Sequence, residues 1–498
     1  MTVAVIGAGF AGLATAKVLR QSGFEVTVFD KAPDVGGVWS STRRYPGLRT
    51  QNNKGSYRLS DHPMPRSFPE WPTGEQVQAY LGGYVRRFGL QECLRLGTEV
   101  IGTRLLADDS GWEVTTSDSD GALVTGTYEQ LVVANGTFSV PAPPTLPGAA
   151  EFRAAGGRIV STSNLHDVEE ARGQQVVVLG YGKSACDVAV PVSDVAASTT
   201  VVARELLWKM PPKIKGVLNY KYLMLTRLGE ALFRWIEPTG VEAFLHGRGN
   251  GLRRRMLGSV EAVTTAQLGL RELGLVPHGS FEDIARSTVS LATEGFFERV
   301  GAGTIRVHRD RVVERLLEKD GRPHAELSDG TLLPADLLVC GTGFRQEVPF
   351  LDPAIQRRIT DQDGNFQLWR QIQPLSVPRL FFAGYNSSFF SPLSAEMAAV
   401  WIADLLLGGH EVPPLEERRA HVERRLAWMQ ERTRGHHARG TNIIPFSMHN
   451  IDEMLDDTGL NVGRATRALQ WLRPLDPAAY RSVTRRLVRR SRSAAKRA

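Results

Sequence analysis

The sequence predicts an α/β protein in which one parallel-sheet unit is interrupted by a second of the same kind and followed by a small helical extension. Three observations carry this. A strand, glycine turn, helix and strand open the chain, in TVAVI, GAGFAG, LATAKVLRQSG and FEVTVFD. The same order recurs in QQVVVLG, YGKSACDVAVPV and STTVVAR. Late in the chain, LFFAGYNSSFFSPLSAEMAAVWIADLLLG reads as strand, loop and helix once more, as a resumption of the first unit would. The expectation is two nested Rossmann-like dinucleotide-binding domains. The first takes residues 1–160 and 336–410. The second takes 161–335, with a helical insertion at about 205–300, and 411–498 add a helical segment and a basic tail.

A chain of 498 residues is too long for one hydrophobic core. No run of about eighteen apolar residues occurs, so no spanning helix is expected. The apolar N-terminus lacks the basic start and small-residue cleavage site of a leader. The net charge of +7 would suit a nucleic-acid partner, but eight of the cations and no acid fall in residues 481–498. The rest of the chain is close to neutral, and the tail reads as a solvated, mobile charge run, so no nucleic acid is expected. Contact with an anionic surface is its alternative use. Residues 213–236, KIKGVLNYKYLMLTRLGEALFRWI, mix basic and aromatic residues at roughly helical spacing. An amphipathic helix there would either pack on its domain or make a peripheral membrane contact. The three cysteines, Cys93, Cys186 and Cys340, form no CxxC pair, which excludes a redox dithiol and a zinc site and fits a cytoplasmic setting.

The two glycine turns carry the chemistry. Gly7, Gly9 and Gly12 form GxGxxG between a strand and a helix. The first glycine permits the turn, the second lets a pyrophosphate approach the backbone, and the third lets helix and strand pack closely. Asp30 ends the second strand, where an acid accepts a hydrogen bond from a free ribose 2′-hydroxyl. The second turn, with Gly180, Gly182 and Ala185, is the G/A variant. Its second strand ends at Arg204, nearly the point that Asp30 holds in the first. An arginine suits a 2′-phosphate, because its planar fork bonds oxygens in pairs. The first site is therefore assigned to FAD and the second to NADPH, with Lys183 and Ser184 as further phosphate contacts. Glu205, beside Arg204, is the feature that would suit NADH instead.

Taken together, GAGFAG, GGVW at 36–39, the loop YPGLRTQNNKGSYRLSDHPMP, GYGKSACDVA, CGTGF at 340–344, FFAGYNSSFFSPLSAEMAA and HNIDEMLDDTG at 449–459 resemble the class B flavin-containing monooxygenases over nearly the whole chain. The resemblance implies that NADPH reduces FAD and that O₂ then adds at flavin carbon C4a. The resulting hydroperoxide passes one oxygen atom to a small or lipophilic substrate at nitrogen, sulfur or a ketone. Gly37 and Trp39 are candidate FAD contacts, with plain core packing as the alternative for Trp39, and Gly343 is read as marking the return to the FAD domain. The resemblance also places Gln51 and Asn52 at the flavin–nicotinamide interface as candidate catalytic residues. Two departures stand out: the family's loop asparagine is Gln51 here, and its histidine before the second turn is Ser161. Two rival readings stay open at this point, an NADPH oxidase releasing hydrogen peroxide and a flavin-binding sensor.

Overall fold

The structure, a computed structural model, describes residues 1–286, 290–386 and 388–495. The three residues within the insertion, Ser387 of the late strand–loop–helix segment and the last three of the tail lie outside them.

Two five-stranded parallel sheets form the frame. In the first, Thr2–Ile6 is central, flanked by Glu25–Asp30 and then Leu94–Leu96 on one side, and by Gln130–Val133 and then Leu380–Phe382 on the other. In the second, Gln175–Leu179 is central, flanked by Ser198–Ala203 and Ile305–Arg309, and by Leu337–Cys340 and Arg158–Ser161. Strands such as QLVV and LLVC are buried along their whole length, as strands covered on both faces must be.

The internal repeat runs deeper than its two openings. In each unit an antiparallel three-stranded meander precedes a parallel strand that pairs with the central one, Gln130–Val133 in the first and Leu337–Cys340 in the second. The meander is Glu99–Leu105, Trp112–Ser117 and Leu123–Tyr128 in the first, and Val313–Lys319, Arg322–Leu327 and Leu332–Pro334 in the second. The two sheets differ in the chain order of their outermost strand, which comes last in the first unit and first in the second. The crossings consequently shift from the expected 160/161 and 335/336. Arg158–Ser161 is already hydrogen-bonded into the second sheet, and so is Leu337–Cys340, so the chain returns only after Cys340. There Phe344–Arg345 pairs antiparallel with Val140–Pro141, with Gly343 at φ +90° in the bend between.

Two sequence expectations need correction. Residues 213–236 are not one amphipathic helix. They form a hairpin, Lys213–Ile214 with Leu218–Asn219, then the short helices Lys221–Met224 and Arg227–Ala231. The apolar side chains Met224, Leu225, Phe233 and Trp235 point into the core, which removes the lipid-facing helix. No helix among the described residues is long and apolar enough to cross a membrane. The basic tail is also ordered: Arg481–Ala495 is a helix whose Val483 and Leu487 are fully buried.

That last helix clamps the helix Ser391–Leu406, which is buried from Pro392 to Asp404. Asp404 is 0% exposed, and its carboxylate accepts hydrogen bonds from Arg490 at 2.6 Å and His410 at 2.9 Å. Stripping one donor from a buried charge costs its desolvation, on the order of 1–3 kcal/mol. Arg490→Ala should therefore lower the unfolding free energy by about that amount in urea titrations. Substituting Arg485, which faces outward, should change little.

Candidate active site at two glycine turns

At the first turn the backbone is as crowded as a dinucleotide cradle requires. Gly7 has φ +114°, and a Cβ there would lie 2.4 Å from Ala134 O; a Cβ at Gly12 would lie 1.7 Å from Gly7 O. At Gly9 a Cβ would make only ordinary contacts, the nearest with the Gly37 Cα at 3.5 Å. Gly36 donates its N–H to Ala8 O, so the GG pair of GGVW closes against the turn itself. The helix Phe10–Gln21 begins with no side-chain cap and no acid in its first turn, which leaves its N–H groups for an anion. Asp30 stands beside it, its carboxylate accepting N–H bonds from Ala8 at 2.6 Å and Ala32 at 2.8 Å. Burial raises its pKa, against the pull of those two N–H groups and of Arg43.

The second turn repeats this geometry with one exchange. Gly180 has φ +108°, and its Cβ would lie 2.5 Å from Gly341 O, the counterpart of Ala134 O. In the first unit the helix position is Gly12 and the strand-end position Ala134. In the second they are Ala185 and Gly341, and a Cβ at Gly341 would meet the Ala185 methyl at 2.7 Å. In the second unit the two methyls exclude each other, whereas in the first a Cβ at Gly12 is barred by Gly7 O and would lie 3.6 Å from the Ala134 methyl. Gly182 opens onto free space, and its helix Lys183–Val192 again has no side-chain cap and no first-turn acid.

The register refines the comparison of Asp30 with Arg204. Gly7 N–H donates to Phe29 O and Gly180 N–H to Val202 O, and Ile6 pairs with Phe29 as Leu179 does with Val202. The structural counterpart of Asp30 is thus Ala203. Arg204 lies one residue further on, exposed, and without an ion pair or hydrogen bond among the described residues. Lys183 is engaged: its ammonium pairs with Asp187, one helical turn on, and lies 3.4 Å from Thr293 Oγ1. Ser184 Oγ is 2.9 Å from the Tyr45 hydroxyl, which reaches across from the first unit.

Between the units lies the loop that holds Gln51 and Asn52. Asn52 is 4% exposed and both ends of its amide are occupied. Its Nδ2 donates to Phe389 O, and its Oδ1 accepts from Tyr220 at 2.5 Å. Among the described residues, Gln51 has a buried Oε1 without a partner, and Asn386 a buried Oδ1 likewise, in the loop before the helix Ser391–Leu406. That loop runs over the first turn, with a Cβ at Gly384 meeting the Ala11 methyl at 2.8 Å. Trp39, a candidate FAD contact, is 6% exposed and packs edge-on against Tyr57. Ser161 ends its strand buried, 3.1 Å from Ser163 Oγ. Glu396, on the helix Ser391–Leu406, is fully buried and accepts from both Ser60 N–H and Oγ–H. Sequence reasoning overlooked Tyr220, whose partners are distant in sequence. The glycine in CGTGF was the available signal for the Ala185–Gly341 exchange.

A family model described as flavin-binding monooxygenase-like matches residues 1–254, half of the chain, over the first turn, the loop and the second turn. The chain belongs to that family. It is 26% identical to probable flavin-containing monooxygenase 1 of Arabidopsis thaliana over 94% of this chain and 93% of the relative. To dimethylaniline monooxygenase [N-oxide-forming] 2 of Oryctolagus cuniculus it is 25% identical, over 93% and 82%. The fold is that of S-allyl-L-cysteine S-oxygenase from Allium sativum, with TM-score 0.63 and 20% identity over 100% and 99% of the two chains. It is also that of the NADP⁺-bound cyclohexanone monooxygenase from Rhodococcus sp. Phi1, with TM-score 0.63 and 20% identity over 87% and 90%. In this flavin-binding monooxygenase the first turn, where Gly7 and Gly12 admit no Cβ and the helix N-terminus is uncapped, fits a flavin dinucleotide.

The exchange of small residues is testable. Gly341→Ala should overpack the second turn by roughly 1–3 kcal/mol. The double variant Gly341→Ala/Ala185→Gly should be more stable than Gly341→Ala alone, although glycine in a helix itself costs about 1 kcal/mol. Urea denaturation of the three proteins reads the outcome, and simple addition of the two losses would refute the reciprocity.

Proposed function

We propose that this flavin-binding monooxygenase takes both electrons from NADPH and places one atom of O₂ on a nitrogen, a sulfur or a ketone of a small or lipophilic molecule. The single observation that supports NADPH as the donor is the change of charge between the two turns. The first has Asp30 at the end of its second strand, while the second has Ala203 at the same register and Arg204 just beyond. An acid at position 203 would repel a 2′-phosphate; alanine leaves room for it, and the unpaired Arg204 guanidinium supplies paired donors.

The chain's own groups divide the work. Gly7, Gly9 and the N-terminus of Phe10–Gln21 would hold the FAD pyrophosphate, and Asp30 keeps lone pairs for a ribose hydroxyl. Gly180, Gly182 and the N-terminus of Lys183–Val192 would hold the NADPH pyrophosphate. Lys183 is assigned a supporting part, since Asp187 already holds its ammonium. When bound, the flavin supplies hydride acceptance and the activation of O₂. The residues around it bind, orient and exclude water. Gln51, with its unengaged amide oxygen, is the residue assigned to the ligand at the interface, and Asn52 positions it. The relatives named for N-oxide formation and as an S-oxygenase support nitrogen and sulfur as the atoms oxygenated.

Arg204→Ala tests the assignment. A charge-assisted hydrogen bond contributes roughly 1.5–3 kcal/mol, and about 1.4 kcal/mol is a factor of ten. NADPH should bind about ten- to a hundredfold more weakly, with NADH and flavin content unchanged. Steady-state kinetics with both nucleotides check this, and an equal loss with NADH would make Arg204 structural.

A further inference from the structure

The second unit reaches over to the loop that holds Gln51. The insertion's hairpin, Lys213–Ile214 with Leu218–Asn219, ends at Asn219 and Tyr220, and both side chains grip residues of the first unit. Asn219 Nδ2 donates to Glu70 Oε1, and Lys213 Nζ lies 3.9 Å from the other oxygen of the same carboxylate. Glu70 O in turn accepts the Lys54 N–H at 2.8 Å, so the grip is transmitted to the loop's backbone. Tyr220 completes it. Its hydroxyl lies 2.5 Å from Asn52 Oδ1 and 3.0 Å from Gln51 O, and the residue is 1% exposed.

A phenol carries one proton, so it donates to one of these acceptors at a time. The shorter contact, to Asn52, places the amide so that its Nδ2 meets Phe389 O, in the loop that leads into the helix Ser391–Leu406. Three segments are thereby tied at one point: the insertion of the second unit, the Gln51 loop of the first, and the segment that resumes the first unit. Burial drives the Tyr220 pKa far up, and the Glu70 carboxylate adds to it, so the donor keeps its proton at any working pH.

We propose that Tyr220 is a positioning residue for the oxygenation reaction: its hydroxyl fixes the Gln51–Asn52 step against Phe389 and holds the Gln51 amide at the interface of the two cofactors. The inference rests on the reading that Gln51 faces that interface. Because the tyrosine belongs to the nicotinamide-side unit, it makes the geometry at the flavin depend on how that unit sits. A loop free to move would admit water and release electrons to O₂ without transfer to substrate.

The test uses the flavin-loaded full chain and the variants Tyr220→Phe, Gln51→Ala, Asn52→Ala and Tyr220→Phe/Asn52→Ala. Tyr220→Phe should purify with the parent's flavin content and be reduced by NADPH under nitrogen within about twofold of the parent rate. Amide hydrogen exchange should accelerate at least about tenfold in residues 51–56 and stay unchanged in Gln175–Leu179, as expected for local opening. Hydrogen peroxide release without added substrate should rise severalfold, by about the same factor in Asn52→Ala and with no further rise in the double variant. Unchanged exchange, or multiplying effects in the double variant, would overturn the proposal. Raised peroxide in Gln51→Ala but not in Tyr220→Phe removes the positioning role alone. Parent-like peroxide in Gln51→Ala removes the interface reading and the proposal with it.

Discussion

The contact on which this protein depends is the one between a helix N-terminus and the end of a neighbouring strand, made twice. At Gly7 and at Gly180 the backbone turns with positive φ, and the next strand's carbonyl lies so close that a methyl would overlap it. Side-chain-free turns of this kind leave a row of N–H groups at the positive end of a buried helix, with nothing between them and a pyrophosphate. Between helix and strand end each unit carries one methyl group, that of Ala134 in one and that of Ala185 in the other. Packing at this density tolerates little else.

From these two contacts the rest of the architecture follows in order. Each turn sits at the centre of a parallel sheet, with its meander packed beside it, and the two sheets share their strand order apart from one outermost strand. That strand, first in one unit and last in the other, is why the chain must cross between the units twice. The crossing segments and the insertion are what bring Gln51, Asn52, Phe389 and Tyr220 together. The C-terminal helices then fasten the outside. His449 is held between Glu230 and Glu242, and although burial opposes its charge, the two carboxylates push its pKa up to about 10. It thus stays charged and ties the insertion to Ser447–Thr458.

What was legible in the sequence is what local chemistry dictates. The glycine turns and Asp30 could be read because each rests on local spacing, and the nesting because the same strand–turn–helix order recurs along the chain. The tail was misread because its charge run hides an apolar row: Val483 and Leu487 are four residues apart, and Arg490 neutralises an acid 86 residues away. Lys183 was read as a phosphate contact, and its pairing with Asp187 one helical turn on went unread. Arg204 was placed at nearly the position of Asp30, and strand register assigns that position to Ala203, one residue earlier. The Tyr220–Asn52 bond joins residues 168 apart, and no periodicity announces such a pair.

The central claim is that two electrons from the second turn and O₂ meet at the first to oxygenate a substrate. The direct measurement is turnover under ¹⁸O₂ with a tertiary amine, a thioether and a cyclic ketone offered together, followed by mass spectrometry of the products. The account predicts one labelled oxygen atom in the product of at least one class, with one NADPH consumed per product. Stoichiometric conversion of NADPH into hydrogen peroxide, with no labelled product from any class, would contradict it.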